Sequence, residues 1–294
     1  MTFVHRPVLL RAVIEGLALK PGAVVLDATL GLGGHAEQLL QAVGPQGRLI
    51  GIDRDSEALE LGRRRLSIFG EQVITFHGRF GELEKILDQA GFRTLDAALF
   101  DLGVSSLQLE KADRGFSFAR EGPLDMRMDS GEGTTAADLV NRTPQRDIEQ
   151  IIRSYGEERW AGRIARAIVR GRPFSTTTGL AETIRRAVPA GARHGRIDPA
   201  TRTFQALRIA VNQELEELSA GLLQAIGRLN PSGRIAVLAY HSLEDRIVKV
   251  CFREQARAGV LRLITRKPMR PSPEETAENP RSRSACLRIA ERVS

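Results

Sequence analysis

Short apolar runs recur along the first hundred or so residues, each closing on an acid: Ala23–Asp27, Arg48–Asp53 and Leu95–Asp101. A fourth, Arg234–His241, lies near the other end. Their apolar positions are consecutive rather than alternate, which predicts parallel strands buried on both faces. A weaker run near Gln72–Phe76 adds a further strand. Between them the period lengthens to that of helices, over Glu37–Ala42, Ser56–Ile68 and Leu83–Ala90, the last ended by Gly91. Strands alternating with helices predict an α/β fold with a doubly wound sheet.

The alternation then stops. From Asp101 to Thr201 no strand pattern appears. Asp101–Asp129 is aperiodic, too rich in Phe, Leu and Met for disorder, and of a length that compact domains reserve for function. Helices are predicted over Pro144–Tyr155, Glu157–Arg170 and Gly179–Val188. The simplest organisation is a sheet domain, residues 1–106 and 200–294, interrupted by an all-helical insertion, 107–199. The sheet domain is expected to resume with one long helix, Thr203–Leu229, whose apolar face runs from Phe204 through Leu215 and Leu222 to Leu229. Asn230–Gly233 turns the chain into the next strand. Leu261–Lys267 and Ala285–Arg292 suit a closing antiparallel pair.

Candidate chemistry sits where the strands end. Val24–His35 reads V-V-L-D-A-T-L-G-L-G-G-H, a strand running into a glycine turn. Gly31, Gly33 and Gly34 permit positive φ and close approach of backbone amides to a ligand. Asp53, closing the next strand, is placed to accept hydrogen bonds from ribose hydroxyls, as in nucleoside-binding α/β sheets. The spacing is not G-x-G-x-x-G, which argues against a dinucleotide. Asp101 beside Gly103–Ser106, His241–Arg246, and His77–Phe80 occupy the same carboxyl edge, where open sheets bind ligands. Asp101 could equally cap a helix, and His241 could be a structural histidine.

Composition adds location rather than class. The chain has 294 residues, 42% of them apolar, and no apolar run of membrane-spanning length. Residues Met1–Pro7 lack a signal-peptide core. Cys251 and Cys286 have neither metal-ligand spacing nor a disulfide framework, so no metal is expected and a reducing cytoplasm is the default setting. The net charge of +7 is matched by residues 141–202 alone, with thirteen arginines and no lysine against six acids. Such localisation suits a polyanion. Within it Arg159, Arg163, Arg166 and Arg170 are expected on one helix face, with Trp160, Ile164 and Ile168 turned away. A solvated face is the plain alternative; the basic surroundings favour RNA contact. The chain has no nucleophile elbow and no P-loop lysine, so it is equipped to position reactants. Methyl transfer from S-adenosyl-L-methionine suits such a site, because alignment of well-oriented reactants is worth ~7–11 kcal/mol.

Several strings go beyond generic pattern: His5–Leu10 (H-R-P-V-L-L), Leu32–His35, D-L-G-V-S-S (Asp101–Ser106), and R-G-F-S-F…G-P-L-D-M-R-M-D (Arg114–Asp129). Further along come Pro199–Asn212, H-S-L-E-D-R (His241–Arg246) and N-P-R-S-R-S-A (Asn279–Ala285). Together they resemble the bacterial 16S rRNA cytosine-N4 methyltransferase family, nearly end to end. The resemblance implies a class I, Rossmann-like S-adenosylmethionine fold with a helical insertion that recognises RNA. It implies as substrate one cytidine in the decoding centre, within 16S rRNA of the small ribosomal subunit. No membrane partner is expected, and a homodimer is compatible with it. Carried over by position, Gly33, Gly34, His35, Asp53, Phe80, Asp101 and Gln108 are the implied cofactor contacts. The chain departs from the family's usual residues at Leu107, Asp198, Tyr240 and Cys286, where proline, histidine, phenylalanine and lysine are common.

A cytosine amine is a poor nucleophile, its lone pair being delocalised into the ring. DNA amino-methyltransferases meet this with a (D/N/S)-P-P-Y loop after the fourth strand; here D-L-G-V-S-S stands in that place. Ser105, Ser106 and His241 are the expected catalytic residues: loop carbonyls and Ser105 or Ser106 accept hydrogen bonds from the amine, with a residue of Tyr240–Asp245 assisting. The base must be flipped or single-stranded to be reached. Phe116 and Phe118 could stack on it, although core packing is the commoner fate of such rings. Two other readings are a nicotinamide-dependent oxidoreductase, disfavoured by the missing third glycine, and a non-catalytic rRNA-binding assembly factor, which would not need the turn or Asp53.

Overall fold

The computed structural model describes residues 7–193, 195 and 197–293. His5 and Arg6 of the first string lie outside them. Among the described residues the strands are β1 (Val24–Asp27), β2 (Arg48–Asp53), β3 (Val73–His77), β4 (Leu95–Asp101), β5 (Leu229–Ala239), β6 (Leu261–Leu263) and β7 (Cys286–Arg292). They form one sheet of order β3-β2-β1-β4-β5-β7-β6. The first five strands are parallel; β7 runs antiparallel to both β5 and β6. A parallel sheet whose order reverses between β1 and β4, with an antiparallel strand beyond, is the expected class I, Rossmann-like doubly wound fold.

Helices α1 (Leu10–Leu17), α2 (Gly34–Val43), α3 (Ser56–Leu66) and α4 (Leu83–Gln89) precede the insertion. Within it come α5 (Ser106–Glu110), α6 (Ala136–Arg142), α7 (Gln145–Gly156), α8 (Ala161–Gly171), α9 (Thr177–Ala187) and α10 (Ala200–Asn212); α11 (Glu214–Arg228), α12 (Ser242–Arg257) and α13 (Pro273–Glu278) follow. The strands are consecutively apolar because both sheet faces are covered. Leu26, Ile50 and Phe100 pack with α4, α11 and α12 residues such as Leu87, Leu222 and Phe252. Val25, Leu49 and Leu99 pack on the opposite face with Val13, Leu39 and Leu59.

The chain divides into two compact units: residues up to Gly103 together with those from Leu215 on, and Val104–Glu214. The helix expected over Thr203–Leu229 is two helices. Gln213 takes φ 52 and ends α10. Phe204 and Leu207 of α10 join Ile148, Ile152 and Ile164 in the helical core, whereas Leu218 and Leu222 of α11 join the sheet. One apolar period crosses the break because both halves face a core, and periodicity does not say which. The second unit therefore runs past residue 199 to Glu214.

The aperiodic stretch is locally ordered. Asn212, 1% exposed, accepts from Met128 N at 2.8 Å and donates to Met126 O at 2.8 Å. Arg114 reaches Met128 O at 2.8 Å, and Arg127 grips Asp125 with two bonds of 2.8 Å. Gly115 has φ 73, and a Cβ there would lie 2.3 Å from Pro123 O. The glycine and polar residues of this string thus build a scaffold around Phe116, Leu124, Met126 and Met128, which are buried in the helical core. Both phenylalanines belong to that packing: Phe118 stands edge-on to Phe204 with centroids 4.7 Å apart.

Candidate functional site

The carboxyl edge of the sheet gathers Asp27, Asp53 and Asp101 from β1, β2 and β4 around the glycine turn. Gly31 (φ 52) and Gly33 (φ 75) carry the left-handed backbone. Gly34 does not: it is the first residue of α2. A side chain at Gly33 would also press on Leu66, 3.3 Å from its Cγ. Asp53 Oδ2 accepts from Gly31 N at 2.7 Å, and its Oδ1 accepts from Asp55 N at 2.8 Å. The acid therefore shapes the turn as well as facing the crevice. Burial lifts its pKa to about 6 despite those two amides.

His35, 5% exposed, is held from both sides. Its Nε2 stands 3.0 Å from Val8 O and its Nδ1 3.3 Å from Asp101 Oδ2. A carbonyl and a carboxylate both accept, so each ring nitrogen faces a group that takes a hydrogen from it when the ring is protonated. Burial pulls the His35 pKa down, but Asp101 and Asp27 outweigh it and the net shift is upward. Asp27, 1% exposed, is lifted by burial to about 7 although His35 opposes the rise. Thr29 ties the two acids together, donating to Asp27 Oδ1 and accepting from Asp101 N at 2.7 Å. Tyr240 completes the cluster by donating to Asp101 Oδ1 at 2.7 Å.

Other expected site residues have structural partners. Phe80 lies edge-on to Phe100 at 5.8 Å, and a Cβ at Gly221 would come within 2.6 Å of it. In the other unit, Ser105 and Gln108 form one capping box: Ser105 Oγ accepts from Gln108 N at 3.2 Å, and Gln108 Oε1 accepts from Ser105 N at 3.0 Å. Ser106 is buried in the first turn of that helix. His241 caps α12, its Nδ1 accepting from Glu244 N at 3.3 Å. The hydrogen is then on Nε2, which lies 3.2 Å from Glu244 Oε1 but out of line for a hydrogen bond. The Nδ1 of His241 is thereby committed to the cap.

The arginine stripe needs one correction. Glu157 takes φ 46, so α8 begins at Ala161 and Arg159 precedes it. Arg163, Arg166 and Arg170 are exposed on α8, opposite buried Ile164 and Ile168. Trp160 is half-buried rather than simply turned inward, with the guanidinium carbons of Arg159 and Arg163 4.6 and 5.8 Å from its ring centre.

Asp27 and Thr29 were not singled out from the sequence, although Asp27 closes a strand as Asp53 and Asp101 do, and Tyr240 was noted there only as a departure from the family's usual residue. The S-x-x-Q spacing of Ser105–Gln108 was a readable capping signal. Thr29 carried none.

Whether S-adenosylmethionine fits can be judged from the donor set. It brings an ammonium, a sulfonium and ribose hydroxyls. The edge offers three carboxylates, two of them destabilised as anions by burial, and an open glycine backbone. Asp53 uses two of about four lone-pair sites on its carboxylate, leaving acceptors for hydroxyls. The residues fit.

The model of the MraW methylase family matches residues 2–293. Ribosomal RNA small subunit methyltransferase H of Geobacter sulfurreducens is 50% identical over 311 residues, covering 100% of both chains. The protein of that name from Dehalococcoides mccartyi is 47% identical over 304 residues, covering 98% of this chain and 86% of its own. Among solved structures, an rRNA methylase from Streptococcus thermophilus aligns over 100% of both chains at 13% identity and a TM-score of 0.48. Among the described residues, no helix is long and apolar enough to cross a membrane.

Proposed function

The chain belongs to the MraW methylase family, and from that premise we propose that it methylates the exocyclic N4 of a cytidine in 16S rRNA, using S-adenosyl-L-methionine. The observation that carries the reading is the carboxyl-edge cluster, with Asp53 pinning the glycine turn and Asp101 held by Tyr240 and His35. The substrate we assign is the small ribosomal subunit, and the setting the cytoplasm.

When bound, the cofactor supplies an electrophilic methyl group on a sulfonium. The chain's part is to hold and align. Gly31 and Gly33 leave the backbone open, Asp53 accepts from ribose hydroxyls, and Asp27 and Asp101 offset the positive charge. The sulfonium is a good leaving group, so the chemistry needs no covalent enzyme intermediate. At the acceptor, an amine hydrogen-bonded to Ser105 becomes a better nucleophile; as its N–C bond forms the sulfonium S–C bond breaks, and the surplus N4 proton is lost to solvent. Ser105 Oγ has spent one lone pair on Gln108 N and keeps the other. His241 caps α12. Arg163, Arg166 and Arg170, with Arg159, supply phosphate contacts from the insertion.

The decisive experiment incubates the protein and labelled S-adenosylmethionine with small subunits from a strain lacking it. Label recovered as N4-methylcytidine supports the reading; no label, or label on another nucleoside, overturns it.

A further inference from the structure

Outside residues 141–202 the chain is neutral in sum, but that sum conceals a second basic segment. Residues 246–270 hold eight lysines and arginines against a single acid, Glu254, for a net of +7. Asp245, just ahead of the segment, is committed to Arg288 through bonds of 2.7 and 3.0 Å.

The structure puts this charge on one surface. α12 buries Val248 and Phe252 against the sheet. Arg246, Val250, Arg253 and Arg257, spaced at four, three and four residues, share the opposite face and are exposed. After β6, Arg266, Lys267 and Arg270 are exposed as well. Arg253, Arg257, Arg266 and Lys267 have no carboxylate partner among the described residues. Other arginines of the sheet unit are paired: Arg65 with Glu37, Arg228 with Asp88, and Arg234 and Arg262 with Glu291. A group of cations on one surface with no carboxylate partner, beside others of the unit that are paired, suits an external anion.

Topology directs the surface to the site. β6 and β5 both run antiparallel to β7, so they run the same way. The chain leaving β6 therefore advances towards the carboxyl edge. Met269 exchanges backbone bonds of 2.9 and 2.8 Å with Leu287, which pairs with Leu238 two residues before Tyr240. Lys267 and Arg270 thus emerge at the edge that holds Asp101 and Tyr240, and α12 starts from that edge at His241.

We propose that α12 and residues 264–270 form a second RNA-phosphate surface, which holds the strand flanking the target cytidine at the carboxyl edge of the sheet. Closely spaced guanidinium groups on a convex helix match successive phosphates along a backbone. The inference rests on the RNA-methylating reading above.

The test uses the full chain with the triple variant Arg253→Glu, Arg257→Glu, Lys267→Glu, and small ribosomal subunits lacking the modification as the probe. Binding is measured across salt concentration beside S-adenosylmethionine affinity and thermal unfolding. The expected result is binding at least about tenfold weaker at moderate salt, with a log–log salt slope shallower by about two, given ~0.7 per lost single-strand contact. Cofactor affinity and unfolding temperature should not move. Unchanged binding and slope would overturn the surface, whether or not the wild type methylates the subunits. Failure of the wild type to methylate would overturn the earlier reading separately. Should the reversed triple misfold, glutamine at the same positions reads the same slope with a smaller change.

Discussion

Tyr240 donates its hydroxyl hydrogen to Asp101 Oδ1 at 2.7 Å, joining the end of β5 to the end of β4. The ring also lies beside Gly103, where a Cβ would stand 3.4 Å from Tyr240 Cδ2 and where φ is 92. Tyr240→Phe keeps that packing and deletes one hydrogen bond to a carboxylate. The expected cost is about 1.5 kcal/mol of stability, read by denaturant unfolding, with S-adenosylmethionine bound more weakly. Wild-type values for both would show that the hydroxyl does no work.

The acid cluster predicts a pH dependence with a definite sign. Asp27 and Asp53 are lifted from an ordinary 3.8 to about 7 and about 6, and His35 is raised as well. The folded state therefore binds protons more tightly than the unfolded state. The stability these groups contribute is fully present below their unfolded pKa values, and it is lost as pH rises through about 6 and then about 7. Unfolding free energy should fall from pH 5 to pH 8, with a shallower fall in Asp27→Asn. An equally steep fall in that variant would exclude Asp27. A cationic cofactor favours the ionised acids, so its affinity should rise over the same interval, as calorimetry can show.

Asparagine separates capping from chemistry, because it caps helices about as well as serine. Ser105→Asn should leave stability nearly intact yet lower turnover more than cofactor affinity. Ser105→Ala should add a loss of about 1 kcal/mol from the missing cap. Retained turnover in Ser105→Asn would confine Ser105 to capping. His241→Asn should keep turnover within a few-fold of wild type, since asparagine can replace histidine as the cap of α12.

Asn212→Ala would strand Met126 O and Met128 N in the helical core. Each buried orphan costs about 1–3 kcal/mol. Hydrogen exchange should quicken at residues 112–130 well before it does in the sheet. Uniform protection in the variant would mean that this stretch is held by other contacts.

Charge reversal at Arg159, Arg163 and Arg166 should weaken subunit binding and flatten its salt dependence, since these exposed guanidiniums line the outer side of α8 and the turn before it. Indifferent binding would leave them a solvated face.

The sheet was legible because its strands are buried on both sides, and that burial prints consecutive apolar residues ending on Asp27, Asp53 and Asp101. The glycine turn was legible because positive φ favours glycine, at Gly31 and Gly33. The split of 203–229 into two helices was not, since α10 and α11 share one apolar period while facing different cores. The S-x-x-Q spacing signals the Ser105 cap but does not exclude chemistry there, because a serine that caps and a serine that reacts are the same letter. The sequence alone determined the fold class, the glycine turn with the acids that close the strands, and the presence of concentrated positive charge. Only the tertiary structure decided which groups meet: His35 between Val8 and Asp101, Tyr240 on Asp101, and the arginines of α12 running from the same edge. Those contacts join residues as many as 139 positions apart, and hydrogen bonds and charge act over ångströms of space, not over positions in the chain.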